Sequence, residues 1–220
     1  MLNRRTCAAI LICGSVTALA ACQTAPPPPP PVIPVDFRPL GLSAPYLSGD
    51  VIGGTRARAT RLRSAGIRPL GAAAVPAYMM NLESELRRQT AGIGLDVLRV
   101  GEAIVVRIPA ALTFDAGSST VKPQFDATLL EIARTVKTRR QTFVDVFAHT
   151  DTTGTVAGNQ ALSDRRAAAV ATYLSNHGVA RARIASRGLG QTSPLYVPDD
   201  TETKRAANRR VEIRLVPYRG

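Results

Sequence analysis

The sequence predicts an α/β (α+β) sandwich, one sheet with helices packed on it, preceded by a leader and a long non-globular stretch. Three observations predict it. From Pro76 onward, segments of helical period alternate with short runs of strand character. Before them, nine of the 16 prolines fall between Pro26 and Pro45. Before those lies an apolar leader with Arg4 and Arg5 near its start.

The chain has 220 residues, enough for one well-buried core. Lys and Arg total 28 against 16 Asp and Glu, a formal charge of +12. There is no Trp, and aromatic residues make up 5%, which speaks against stacking platforms for single-stranded nucleic acid. Only two histidines occur, His149 and His177, which speaks against a multi-histidine metal site, and no cofactor is expected.

Residues 1–21 read as a secretory signal, because a positive start is followed by a short apolar or small-residue run from Cys7 to Ala21. Its end, Leu19-Ala20-Ala21-Cys22, resembles the lipobox of bacterial lipoproteins. That resemblance implies cleavage ahead of Cys22 and acylation of its thiol, palmitate included. Gln23 in place of Asp implies sorting to the outer membrane. With Cys7 and Cys13 removed, Cys22 is the only cysteine left, so no internal disulfide can form. Several acyl chains give lasting attachment, at about 0.8 kcal/mol per buried methylene.

Residues 22–75 read as a tether, Pro-rich and then Arg-rich, mostly disordered. Pro26–Pro31 is an unbroken run suited to polyproline II. The stretch that follows has no sustained period and carries Arg56, Arg58, Arg61, Arg63 and Arg68, with only Asp50 nearby to oppose them. Contact with anionic headgroups or envelope polymer is one reading of these arginines. A solvated linker is the favoured one.

Residues 76–103 read as a helix and hairpin strand leading into the domain, which spans 104–220. Tyr78, Met79, Leu82 and Leu86 recur at helical spacing, and Gly92 can end the helix. Leu95–Val100 and Ile104–Ile108 flank Gly101-Glu102 as a hairpin. Pro123 opens a second helix with Phe125, Leu129, Ile132 and Val136 on one face. Phe143–Ala148 is a strand, and Leu162–Leu174 lies on a third helix running to about Asn176. Ile184–Gly188 is a short strand, and a short helix spans Thr201–Asn208. Val211, Ile213 and Leu215 alternate with Glu212 and Arg214, the pattern of a final half-buried strand.

One residue breaks the third helix's pattern. Leu162, Arg166, Val170 and Leu174 are spaced by four, so Arg166 sits in the apolar stripe. A guanidinium there must be paired or must line a pocket. Asp151, just past the strand Phe143–Ala148, is the candidate partner, and ligands in α/β folds gather at the carboxyl ends of strands. A plain buried salt bridge fits the spacing equally well.

These residues carry a resemblance. Ala148-His149-Thr150-Asp151, Gly154, Asn159, Leu162-Ser163, Arg166-Ala167 and Val170 stand at the spacings of the OmpA-like, peptidoglycan-binding C-terminal domain. Gly178-Val179, Arg183, Gly188-Leu189-Gly190, Pro194 and Asn208-Arg209-Arg210-Val211-Glu212-Ile213 continue it. Leu112-Thr113-Phe114-Asp115 looks like that family's opening strand and loop. Residues 78–107 resemble the lead-in of lipoproteins of the YiaD and peptidoglycan-associated type, without their glycine-zipper repeat. Ala148 stands where the family usually has Gly.

The resemblance implies a mixed sheet and non-covalent binding of peptidoglycan through meso-diaminopimelate. It puts the two key positions on Asp151 and Arg166. Asn159, Thr153, Asp115 and Arg209 fall on positions that line or support the pocket. From the residues alone, Asn159 equally serves to cap the third helix, and Arg209 equally meets solvent before the last strand. The expected protein is a non-enzymatic outer-membrane lipoprotein facing the periplasm, with the wall and the membrane as partners and no nucleic acid. An inner-membrane, stator-type anchor is one alternative. An interaction module that meets an envelope protein through the loop 191–203 is another. A hydrolase built on His149 and Asp151 lacks a nucleophile elbow, a second carboxylate with an obvious partner role and a metal-ligand cluster.

Overall fold

The structure is a computed structural model and describes residues 50–220. The signal, Cys22 and the tether as far as residue 49 lie outside the described residues.

Helix α1 (Thr55–Ser64) comes first, then a 3-10 turn (Ala72–Ala74) and helix α2 (Val75–Thr90). Strands β1 (Asp96–Val100) and β2 (Ala103–Pro109) form the expected hairpin. A helical turn, α3 (Ala110–Thr113), and helix α4 (Pro123–Thr138) lead to β3 (Thr142–Ala148). Helix α5 (Val156–Asn176) and a 3-10 turn (Arg181–Arg183) lead to β4 (Ile184–Gly188). Helix α6 (Glu202–Asn208) and strand β5 (Arg210–Pro217) close the chain. The sheet order is β1-β2-β5-β3-β4. Only β3 and β4 run parallel, joined by the α5 crossover, so the sheet is mixed as the resemblance implied.

Period-2 geometry gives the sheet two faces. The register lines up Ile104 with Leu215 and Val144, Val106 with Ile213 and Val146, and Ile108 with Val211 and Ala148. These residues form the main core with the apolar stripes of α2, α4 and α5. Met79, Leu82, Leu129, Ile132, Val170 and Leu174 are among those stripe residues, each without exposed surface.

The second face departs from the sequence expectation. β5 is buried on both faces, not half-buried: Glu212 and Arg214 have no exposed surface. Each is buried because a neighbouring strand supplies the opposite charge. Arg214 lies across from Asp145 and bonds it at 2.7 Å. Glu212 lies across from Arg107 and meets it at 3.2 Å, with Arg210 at 2.8 Å. Arg210 and Arg107 outweigh the cost of burial and take the Glu212 carboxyl down to about 2. His149 sits 3.8 Å from Glu212, and burial followed by the charge of Arg210 pushes its pKa well below 6.5.

A second departure concerns residues 50–75, expected as part of a disordered tether. They are folded, and the part from Val51 to Ile67 covers this second face, while Leu70 and Val75 join the main core. Val51, Ala59, Leu62 and Ile67 make a small core with Phe143 and Tyr218. Leu70 pairs with Arg219 as a parallel bridge. Arg58 is buried to 1% exposure and forms an ion pair with Asp145. It lies over the Phe143 ring and donates to the carbonyls of Ile52 and Arg183. α1 therefore hides a stripe of Ala59, Leu62 and one arginine. It carries no sustained apolar period because its buried charge is matched by a residue 87 positions on.

A third departure is small. Leu112–Asp115 is not the opening strand; β2 is, and the chain leaves it through α3.

Candidate functional site

The carboxyl ends of β3 and β4 are where the proposed site residues meet. His149 N donates to Arg210 O, Thr150 N to Gly190 O and Leu189 N to Ala148 O, so three strand ends are knitted together there. The Gly188-Leu189-Gly190 segment is small for a reason. A Cβ on Gly188 would stand 2.3 Å from the Asp164 nitrogen and 2.4 Å from the Ser163 hydroxyl. Its absence lets α5 come close enough for Gly188 N to reach Asp164 Oδ1 and Gly190 N to reach Ser163 Oγ, each at 2.9 Å. Close approach of α5 sets how far Arg166, two to three residues further on, reaches over the strand ends.

Arg166 and Asp151 do not pair with each other. Arg166 is 5% exposed, and its Nε donates to Ser118 O at 2.8 Å while Nη2 donates to Asp115 O at 3.1 Å. Its guanidinium lies 5.0 Å from the centroid of Phe114. The turn Asp115–Ser118, in which Gly117 takes φ 69°, is what aims those two carbonyls at it. Two of the three nitrogens are thus fixed, and among the described residues Nη1 has no partner. The guanidinium is rigid and retains donor capacity.

Asp151 is 6% exposed. Its Oδ1 accepts from Thr153 N at 3.0 Å, an Asx turn that holds the carboxylate upright. Its Oδ2 pairs with Arg209 Nη1 at 2.5 Å. Arg209 is partly exposed and also pairs with Glu202 at the start of α6, so it is shared between two carboxylates. Glu202 and Asp151 hold the Arg209 charge against desolvation and raise its pKa. At Arg166 the balance runs the other way. Burial, then the charges of Arg209 and Arg165, lower its pKa against the pull of Asp151. Arg166 and Arg209 thus stand beside one aspartate, a field that favours an incoming carboxylate.

The supporting residues have defined places. Asn159 is buried and does not cap its helix: Thr155 does, accepting from Gly158 N at 3.1 Å. Asn159 Nδ2 instead lies within 2.8–3.1 Å of Asp151 O, Thr153 O and Gln191 Oε1, bracing the loop. Thr153 contributes its backbone N–H to Asp151 and its carbonyl to Asn159. The Asp115 carboxylate is exposed and pairs with Lys122 at 3.1 Å, and only its carbonyl touches Arg166.

The sequence reading missed the contribution of the loop 191–203. Asp199 accepts from Thr152 N at 2.8 Å and Thr152 Oγ1 at 2.5 Å, bonds that hold its carboxyl below the usual range. With Gln191 on Asn159, the loop is built into the site wall rather than standing apart from it. Two aspartates next to a capping Thr201 were the available signal.

A separate cleft of about 440 Å³ lies between α2 and α4, lined by Glu85, Gln89, Arg134, Thr135, Thr138 and Arg139. Its polar groups are largely spent on near neighbours: Thr135 bonds Gln89, Gln89 bonds Glu85, and Arg134 bonds Glu131. Among the described residues no group of three His, Cys, Asp or Glu side chains is placed to hold a metal ion. No helix among them is long and apolar enough to cross a membrane.

Comparison with known proteins places this arrangement. The chain is 41% identical over 140 residues to the probable lipoprotein YiaD of Escherichia coli (strain K12), covering 64% of each chain. It is 32% identical over 109 residues to the peptidoglycan-associated lipoprotein of Mesorhizobium japonicum, covering 50% of this chain and 65% of that one. It thus spans less than two thirds of either relative. The structure of the cell wall anchor of the T6SS from Pseudomonas aeruginosa superimposes with a TM-score of 0.55 at 29% identity, over 60% of this chain and 96% of that one. Residues 113–209 match the OmpA family, and that stretch runs from the turn that holds Arg166 to the arginine that holds Asp151. Residues 113–209 of this chain are thus an OmpA family domain.

Proposed function

We propose that this chain is an outer-membrane lipoprotein whose domain grips peptidoglycan non-covalently through meso-diaminopimelate and so ties the membrane to the wall. The observation that carries the reading is the unpaired arrangement of Asp151 and Arg166. Diaminopimelate presents an ammonium and a carboxylate on one carbon. Arg166, clamped by two carbonyls, offers its remaining N–H donors to the carboxylate. Asp151 accepts from the ammonium, which displaces Arg209 toward Glu202. Each charge-assisted bond contributes about 1.5–3 kcal/mol. Asn159, Thr153 and the Asp115 carbonyl hold these two groups in place. The names of the relatives support the wall as target, and the lipobox supports Cys22 as the anchor.

The chemistry is recognition and asks for no bond to be made or broken. Co-sedimentation with diaminopimelate-type sacculi tests it, with free diaminopimelate as competitor. Binding is displaced by the free ligand and lost in Asp151→Ala and Arg166→Ala, while both variants stay folded. Unimpaired pull-down by both variants overturns the site. Lysine-type sacculi bind more weakly, because Arg166 loses its carboxylate partner. Cys22→Ser loses labelling by a clickable palmitate analogue.

A further inference from the structure

Six arginines outside the site and outside the buried network share one end of the molecule. Arg56, Arg61 and Arg63 lie on the outward side of α1, and all three are exposed. α1 is fastened by Arg58 to the carbonyl of Arg183, which ends the 3-10 turn that Arg181 begins. Arg181 and Arg140 stand just before the parallel strands β4 and β3, which start side by side. Arg68 is beside them, since Gln141 Nε2 donates to its carbonyl at 3.1 Å. Arg68, Arg140 and Arg181 are exposed too. Among the described residues none of the six has a carboxylate within salt-bridge distance. Asp50 is the only acidic residue between 50 and 75, and it accepts from the Thr55 hydroxyl.

This end is the opposite pole from the candidate site. Arg140 and Arg181 precede β3 and β4, whereas Asp151 and Gly190 follow them. A seven-residue strand separates the two by roughly 20 Å. The poles can therefore be occupied at once.

We propose that the arginine pole docks on an anionic phospholipid surface. Guanidinium groups suit phosphate, and the patch has no apolar anchor to direct it to a protein groove. Residue 50 stands 28 positions after Cys22 in the sequence, so a lipid-attached Cys22 holds this pole within reach of the bilayer. That last point rests on the anchor reading under Proposed function; the charge argument does not. Docking turns the domain so that the Asp151–Arg166 end faces away from the membrane, toward the wall.

The test uses residues 23–220, which keep every described residue and lack both lipid and leader. Vesicles containing about one third phosphatidylglycerol are compared with pure phosphatidylcholine by co-sedimentation, at low and raised salt. The chain sediments with the anionic vesicles only, and salt releases it. Each arginine is worth roughly fivefold in partitioning, so the Arg56→Gln/Arg61→Gln/Arg63→Gln variant loses roughly a hundredfold. Its melting temperature and its binding to sacculi stay as in the parent. Equal sedimentation with neutral vesicles, or an unaffected triple variant, overturns the proposal. Vesicle binding with no sacculus binding supports the pole and overturns the wall reading. Sacculus binding with no vesicle binding overturns the pole alone.

Discussion

Two aspartates six residues apart, Asp145 within β3 and Asp151 just past it, both lie among arginines, and the outcomes are opposite. Asp145 has no exposed surface and is saturated: Arg58 and the Ile52 N–H, with Arg214 at 2.7 Å, fill its oxygens. Arg58 and Arg214 also spend donors on the carbonyls of Arg183 and Asp50. Asp151 meets Arg209, which is shared with Glu202, while Arg166 beside it is fixed by carbonyls and keeps an unspent donor. The inner cluster locks two segments of chain together. The outer one holds charge in readiness. Both aspartates are buried, and what separates them is that both oxygens of Asp145 are taken by fully buried arginines, whereas Asp151 shares one partly exposed arginine with Glu202.

The sharpest way to break this comparison is to remove each aspartate. Asp145→Ala leaves Arg58 and Arg214 buried beside each other without a carboxylate, which costs about 3–5 kcal/mol. Urea denaturation should show that loss, and sacculus binding by the remaining folded protein should be unchanged. A stability change below about 1 kcal/mol would mean the cluster does not fasten the α1 segment. Asp151→Ala should do the reverse, with the melt almost unmoved and binding gone.

Arg166→Lys comes next in size. A lysine keeps the charge but cannot hold both the Ser118 and Asp115 carbonyls and still present a planar fork. Affinity for free diaminopimelate, read by calorimetry, should fall roughly tenfold or more, the equivalent of one charge-assisted bond at about 1.5 kcal/mol. Retained affinity would reduce Arg166 to a point charge.

Acid should act on the fold through the buried pair His149 and Glu212. His149 and Glu212 both have folded pKa values below their ordinary ones. The unfolded chain therefore takes up protons first. The contribution of His149 is complete above about pH 6.5 and is lost as pH falls below it. The contribution of Glu212 is complete above its ordinary 4.5 and is lost as pH falls toward about 2. Each group gives a slope of at most about 1.4 kcal/mol per pH unit. Melting temperature should hold from pH 8 to 7 and then fall, and His149→Gln should flatten the first part of the fall. A level profile down to pH 5 would show that His149 is not buried neutral.

The sequence carried the outer site further than the inner cluster. Arg166 stood out because it interrupts a stripe spaced by four, and Asp151 because it follows a strand; both are local patterns. Their separate partners were not legible. Arg166 is held by main-chain carbonyls of a turn, which leave no residue-type signature, and Arg209 is one partly exposed arginine in a chain rich in them. The strands and the larger helices were legible from period. α1 was not, because its buried face is completed by Arg58, and an arginine in a basic stretch gives no sign of an aspartate 87 residues later. The same long-range pairing hid the burial of β5, since alternating Glu212 and Arg214 look solvated until β2 and β3 bring Arg107 and Asp145 opposite them.

The smallest expected effect concerns Arg209. It is about one third exposed, so its pairing with Asp151 is screened and contributes less than about 1 kcal/mol to the fold. Its weight is on binding. While it sits on Oδ2, an incoming ammonium must compete with it for the same carboxylate. Arg209→Gln should leave the melt unchanged and raise affinity for diaminopimelate a few-fold, with a gain that shrinks as salt screens the competition. Glu202→Gln should lower affinity by a similar factor, because Arg209 then loses its second carboxylate and rests on Asp151 alone. Opposite signs for these two variants would establish Arg209 as a resident cation that the ligand displaces. Weaker binding by Arg209→Gln would instead place its guanidinium on the ligand's own carboxylate, alongside Arg166.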